Sequence, residues 1–274
     1  MNTQLYIKQL PVMLWGTIFG FLSLALVPPS VNAQEWVSSR VFGPFACWGT
    51  FDLSSVENDL QHLAQVAQEL DAKIGLPASE EWVELYVFRN ETEWRVFHQK
   101  EYPTIPYRRA LFLKKKKGRG QLFLHLSKNF VDDLRHEGTH ALLHAVLPTV
   151  PIWLDEGLAE YFETPTSPRI SRSEWFKISL KRAQNRTTEK IILLETLSEM
   201  DEMTPEHYAD SWVWVTFLLD GPEEVRDILP THISEMLKHK SLAVFPTIPI
   251  SRRLGKVYTE PEGELYPFLK KYAY

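Results

Sequence analysis

Three histidines and a glutamate crowd into ten residues of this chain: "RHEGTHALLH", residues 135 to 144, carries His136, Glu137, His140 and His144. Residues on an α-helix advance by about 100° each, so His136 and His140 stand one turn apart on a single face. Two imidazoles placed in this way can reach one zinc ion. Glu137 lies at the edge of that face, where it can reach a water beside the metal without being a ligand; this is the mechanical content of the H-E-x-x-H pattern. His144 is two turns from His136, about 12 Å along the axis, and one ion with nitrogen bonds near 2 Å cannot bridge that span. It reads as a neighbour that lines or supports the site.

A catalytic zinc needs a third protein ligand and an open position. The longer H-E-x-x-H-x-x-G-x-x-H arrangement does not supply it, because Leu143 stands where that pattern has glycine and no histidine follows at the required offset. The next apolar segment, "WLDEGLAEYFE", offers Glu156 and Glu160 four apart on one helix face, with Asp155 beside them. The linking "AVLPTVPI" is long enough for a tight reversal that brings the Glu156 face against the histidine face.

Those two helices need a frame. Upstream, Leu60, Leu63, Val66, Leu70 and Ile74 recur at helical spacing, with Ser54 or Ser55 available as a cap and Gly75-Leu76-Pro77 as a stop. "WVELYVF" alternates like a strand, and "ETEWRVFHQKEY" reads as a short helix with Trp94 and Phe97 facing inward. "RALFLKKKKGRGQLFLHLS" has two apolar runs around a Lys/Gly turn, a β-hairpin signature. Its tip, Lys114 to Lys117 with Arg119, reads as a solvated turn whose lysines discourage edge pairing, with an anionic partner as the other reading. The strand "QLFLHL" is expected to present an edge on which an extended peptide could add. After Asn129 the pattern is helical: one helix to about Pro148, one from Pro151 to about Glu163, a polar connection, further helices at 192–200, 205–219 and 222–238, and a last one near 260–272. The expectation is an α+β fold: a small αβ N-terminal lobe (34–128) with a mixed or antiparallel sheet, then a mainly helical lobe (129–274), together forming one compact unit.

"HEGTH" and "WLDEGLAEY", with fifteen residues between His140 and Glu156, resemble the gluzincin (peptidase MA-like) zinc metallopeptidases. The stretch "DLRHEGTHALLH" with "VPIWLDEGLAEYFE" looks closest to a group of secreted bacterial peptidase-MA-like proteins, over roughly residues 105–165. The resemblance implies a zincin-like fold, a Zn2+ cofactor and a peptide or protein substrate. It further implies His136, His140 and Glu156 as zinc ligands, Glu137 as general base, and Glu160 as the acidic residue that orients the first histidine. Ligating imidazoles do donate their second N–H to such groups. Asp155 is given no chemistry. Downstream, "HYADSWVWVTFLL" is similar to a helix beginning Tyr-x-x-Gly in the aminopeptidase-like branch; it implies Tyr208 as an oxyanion donor, with Ser211 in place of glycine and His207 as the weaker alternative. The Gly-x-Met-x-Asn substrate loop of that branch is absent.

Composition narrows the class further. The chain has 274 residues, 44% hydrophobic and 24% charged, which suits a globular protein with a sizeable core, and its net charge of −5 argues against a general nucleic-acid binder. Lys8 is the only charge before Glu35; the apolar run that follows it, with "PPSVNA", reads as a signal peptide over 1–33 cleaved near Ala33. The expected location is therefore secreted or periplasmic, without a stable membrane span; an uncleaved N-terminal anchor is the alternative. Cys47 is the only cysteine, so an internal disulfide is impossible, and its apolar context reads as a buried small residue. The second functional reading is a catalytically silent zincin-like scaffold that binds a partner outside the cytoplasm.

Overall fold

The computed structural model describes residues 35–114, 118–147, 149–165, 168–239 and 247–273; the expected signal peptide and Lys115 to Lys117 of the hairpin tip lie outside them. Five strands, β1 (Ser38–Phe42), β2 (Phe45–Gly49), β3 (Val83–Phe88), β4 (Ala110–Lys114) and β5 (Gly120–His125), form one mixed sheet in the order β1-β2-β3-β5-β4. The central pairs β2/β3 and β3/β5 are parallel, and the outer pairs β1/β2 and β4/β5 are antiparallel. The fold is α+β. Parallel neighbours require crossovers, and these are supplied by α1 (Glu57–Ile74) between β2 and β3 and by α2 (Glu91–Glu101) between β3 and β5.

Period-two alternation explains why β2 and β3 read as continuous apolar runs. Phe45, Cys47, Val83, Leu85, Val87, Leu122 and Leu124 face the main core, whereas Ala46, Trp48, Tyr86, Phe88 and Phe123 face a second cluster capped by Trp94 and Phe97 of α2. Cys47 is fully buried, and burial holds its thiol pKa far above the ordinary value. The main core runs without a break from Phe45 to Leu269.

The remaining helices are α3 (Phe130–Val146), α4 (Ile152–Glu163), α5 (Arg169–Arg172), α6 (Phe176–Gln184), α7 (Ile191–Leu194), α8 (Pro205–Asp220), α9 (Glu223–Arg226), α10 (Ile228–Lys238), α11 (Ile250–Leu254) and α12 (Glu262–Lys270). Among the described residues no helix is long and apolar enough to cross a membrane. α3 lies against β4, β5 and α1; α4 packs between α3 and α8. Both α4 and α8 are buried almost all round, as expected for helices inside a core.

Four expectations are corrected by this arrangement. The strand "QLFLHL" is not an edge: β5 is paired on both sides, and among the described residues β4, like β1 at the opposite side, is an outer strand with a free margin. The polar connection after α4 contains α6, whose buried face is Phe176, Ser179 and Ala183; two of those three side chains are small, which hid the helical period. Asp52, not Ser54 or Ser55, caps the segment leading into α1, accepting from the Ser54 N–H at the start of a 3-10 turn. Lys114 is also more than a solvated tip residue, since its ammonium donates to the carbonyl of His144 near the α3 C-terminus.

Gly157 sets the distance between α4 and α8. A Cβ there would lie 2.7 Å from the Ser211 carbonyl oxygen and 2.8 Å from Val215 Cγ2, so the helix axes would have to separate. We expect Gly157→Ala to destabilise the fold by about 1–3 kcal/mol, a fall in Tm of roughly 2–4 °C per kcal/mol. A thermal scan by circular dichroism checks this; an unchanged Tm would contradict the tight packing.

Candidate active site

α3 ends at Val146, α4 begins at Ile152, and the two helices cross in opposite directions. Asp155, at the start of α4, meets His140 and His144, and Glu163 at its end meets His136. The reversal expected from the sequence is therefore present, and its antiparallel sense decides which carboxylate serves which ring.

His136 Nε2 and His140 Nε2 lie 3.3 Å apart, and Glu156 Oε2 lies 3.8 Å from each. A tetrahedron with bonds of 2.0–2.1 Å has edges of about 3.3–3.4 Å, so this triple fits a zinc-sized ion with only a small adjustment at the carboxylate. The tautomers agree. His136 Nδ1 is 3.0 Å from Glu163 Oε2 and His140 Nδ1 is 2.9 Å from Asp155 Oδ1, so a ring made neutral for ligation donates from Nδ1 and turns its Nε2 lone pair inward. Two inward lone pairs beside a buried carboxylate call for a cation.

The surrounding charge makes the same demand. Glu137, Asp155, Glu156 and Glu160 line one cleft with the three histidines, and Glu163 bonds to His136 Nδ1. Burial alone would lower both histidine pKa values, yet the carboxylates carry His136 up to about 10 and His140 up to about 9. Burial pushes Glu156 up against the pull of both histidines, and Glu160 up to about 7. Asp155 is held well below the usual carboxylate range by His140 and His144, which outweigh its burial.

Glu160 does not make the contact expected of it. Glu163, one turn further along α4, takes His136 Nδ1, while Glu160 accepts the indole N–H of Trp175 at 2.6 Å. A second grouping with ligand spacing, His136 with Glu160 and Glu163, shares the same histidine, and both its carboxylates already hold these hydrogen bonds. Asp155, given no role from the sequence, accepts from His140 on one oxygen and from His144 Nε2 at 2.8 Å on the other. His144 thus supports the site through Asp155, its ring stacked on Phe112 of β4.

Arg135 fixes the far end of α4. Its guanidinium is fully buried, with Nε donating to the carbonyls of Phe162 at 2.8 Å and Glu163 at 3.1 Å, and one terminal nitrogen on Glu69 at 2.9 Å. Arg169 reaches the same Glu69 and donates to the Thr164 carbonyl. Helix C-terminal carbonyls lack intrahelical partners; here two cations satisfy them and so hold Glu163 beneath His136.

Glu137 projects into the cleft from the edge of the histidine face and belongs to neither ligand grouping. Tyr208, in the first turn of α8, lines the same cleft with its ring stacked parallel to Trp175 at 6.3 Å. Burial, with the charges of Glu156, Glu160 and Glu137, pushes its hydroxyl up to about 12, so it remains a neutral donor. His207 is committed elsewhere: it closes the α8 capping box with Thr204, and its Nδ1 lies 3.0 Å from the Glu202 carbonyl. Trp175, which touches both Glu160 and Tyr208, was not found from the sequence; its one signal was an aromatic ring in an otherwise polar connection.

No known protein-family model matches this chain, and no curated protein matches it at a significant level.

Proposed function

We propose that the protein is a zinc-dependent metallopeptidase of the gluzincin type, with a zincin-like fold, acting outside the cytoplasm on peptide or protein substrates. The observation that carries the reading is the convergence of His136 Nε2, His140 Nε2 and Glu156 Oε2 in a cleft that also holds Glu137 and Tyr208. Bound zinc would supply Lewis-acid polarisation of the scissile carbonyl and lower the pKa of water. Glu137 accepts the proton of the attacking water and returns it to the departing amine. The Tyr208 hydroxyl donates to the oxygen that gains charge. Asp155 and Glu163 keep the two imidazoles in one tautomer and one orientation. The free margin of β4, which brings Leu111 and Phe112 to the cleft, offers an extended peptide a strand to pair with.

Metal analysis of the purified protein, peptide-library digestion and hydroxamate inhibition test this reading together. It requires one zinc per chain, cleavage that chelation abolishes and added zinc restores, and hydroxamate binding. A protein that binds zinc and hydroxamate without cleaving any peptide would instead be the silent scaffold, and one without stoichiometric zinc would be neither. Asp155→Asn keeps the shape but weakens the acceptor on His140, and should lower zinc affinity about 10- to 100-fold, read by competition with a chromogenic chelator.

A further inference from the structure

Arg108 is the one arginine or lysine among the described residues that line the cleft. It lines the same space as Glu137, Asp155, Glu156 and Glu160, yet among the described residues its guanidinium pairs with no carboxylate or carbonyl. Its neighbour Arg109 is paired, with two hydrogen bonds to Asp133. The backbone beneath Arg108 is anchored: its carbonyl accepts the N–H of the buried Trp94 indole at 2.8 Å, and the preceding Tyr107 ring lies under the Arg95 guanidinium at 3.7 Å. The residue is thus fixed at its base, open at its tip, and placed two positions before β4 begins. Its charge also reaches the Tyr208 hydroxyl from across the cleft.

We propose that Arg108 forms a carboxylate subsite, so that the cleft takes peptides carrying an anionic group at one defined position along β4. Guanidinium forks match carboxylates in a planar, two-point contact, and four nearby protein carboxylates leave this fork unused. Away from Arg108 and the metal position the carboxylate-lined walls disfavour an anionic peptide, so the effect is positional rather than a general preference for acidic substrates. An extended peptide advances about 3.3 Å per residue, which places the anion no more than about four residues from the one beside Phe112. Two groups have this chemistry: the C-terminal carboxylate of the substrate and an Asp or Glu side chain. The alignment along β4 rests on the metallopeptidase reading; the carboxylate contact does not.

The test titrates zinc-supplemented Glu137→Gln protein with matched hexapeptides and follows tryptophan fluorescence. One pair differs only in a free or amidated C-terminus, and a second, amidated, pair differs only in Glu against Gln at each position in turn. The carboxylate member of one pair should bind at least tenfold more tightly, identifying the source. Arg108→Gln should abolish that difference, and Arg108→Lys should keep part of it, with zinc content unchanged in both. Equal binding within every pair, a preference that survives Arg108→Gln, or no measurable peptide binding overturns the proposal. Digestion of both members of every pair by the native protein, at concentrations above the Kd found for each, reports on the peptidase reading separately. Carboxylate-selective binding without cleavage leaves the subsite standing and removes that reading; cleavage without selectivity does the reverse.

Discussion

Glu137→Gln should leave zinc bound and cut kcat by about 10²- to 10⁴-fold, the range that one positioned general base contributes. The side chain lies in the cleft but outside the His136, His140 and Glu156 triple, so the amide removes proton acceptance without removing a ligand. The shape is conserved, and hydroxamate affinity measured beside kcat separates a chemical defect from a collapsed cleft. Retained zinc with turnover within threefold of the native protein would remove Glu137 from the mechanism.

Glu156→Ala should have the opposite signature. Removing one of three ligands is expected to weaken zinc binding by more than the roughly 100-fold that bounds changes in the groups behind the ligands. Without zinc, the variant should be at least as stable as the native chain, because Glu156 is a buried carboxylate whose burial pushes its pKa up, a cost to folding that alanine does not carry. Thermal scans with and without zinc read both effects at once. The native protein should gain Tm as zinc rises above its Kd, and the variant should show a flat response at the same concentrations. A zinc-dependent shift equal to that of the native protein would exclude Glu156 as a ligand.

The α3/α4 pair was the most legible part of the fold. Four-residue spacing reports directly which side chains share a helix face, and the reversal needed only a short proline-bounded link. Which carboxylate faces which ring was not legible, because that depends on how two helices cross, and one turn of sliding exchanges Glu160 for Glu163. Asp155 escaped for the same reason: its partners His140 and His144 are eleven residues away or more, and only the antiparallel crossing brings them together. In the sheet, alternation identified β3, β4 and β5 but not their order. Strand order is set by how α1 and α2 carry the chain across, a long-range matter that no local pattern records, so β5 was mistaken for a margin. α6 was missed because Ser179 and Ala183 fill their buried positions with little apolar volume.

The parallel centre of the sheet also bears on how the chain acquires its shape. β2 must find β3, and β3 must find β5, across intervening helices, so each pairing closes a long loop before any ladder hydrogen bond rewards it. The α3/α4 hairpin spans only residues 130 to 163 and closes a short one. Chains dominated by distant pairings fold slowly compared with those built from local ones. The helical pair bearing His136, His140 and Glu156 and the β4/β5 hairpin both close short loops, so the two walls of the cleft are local pieces, and only the parallel pairings of β3 depend on long closures.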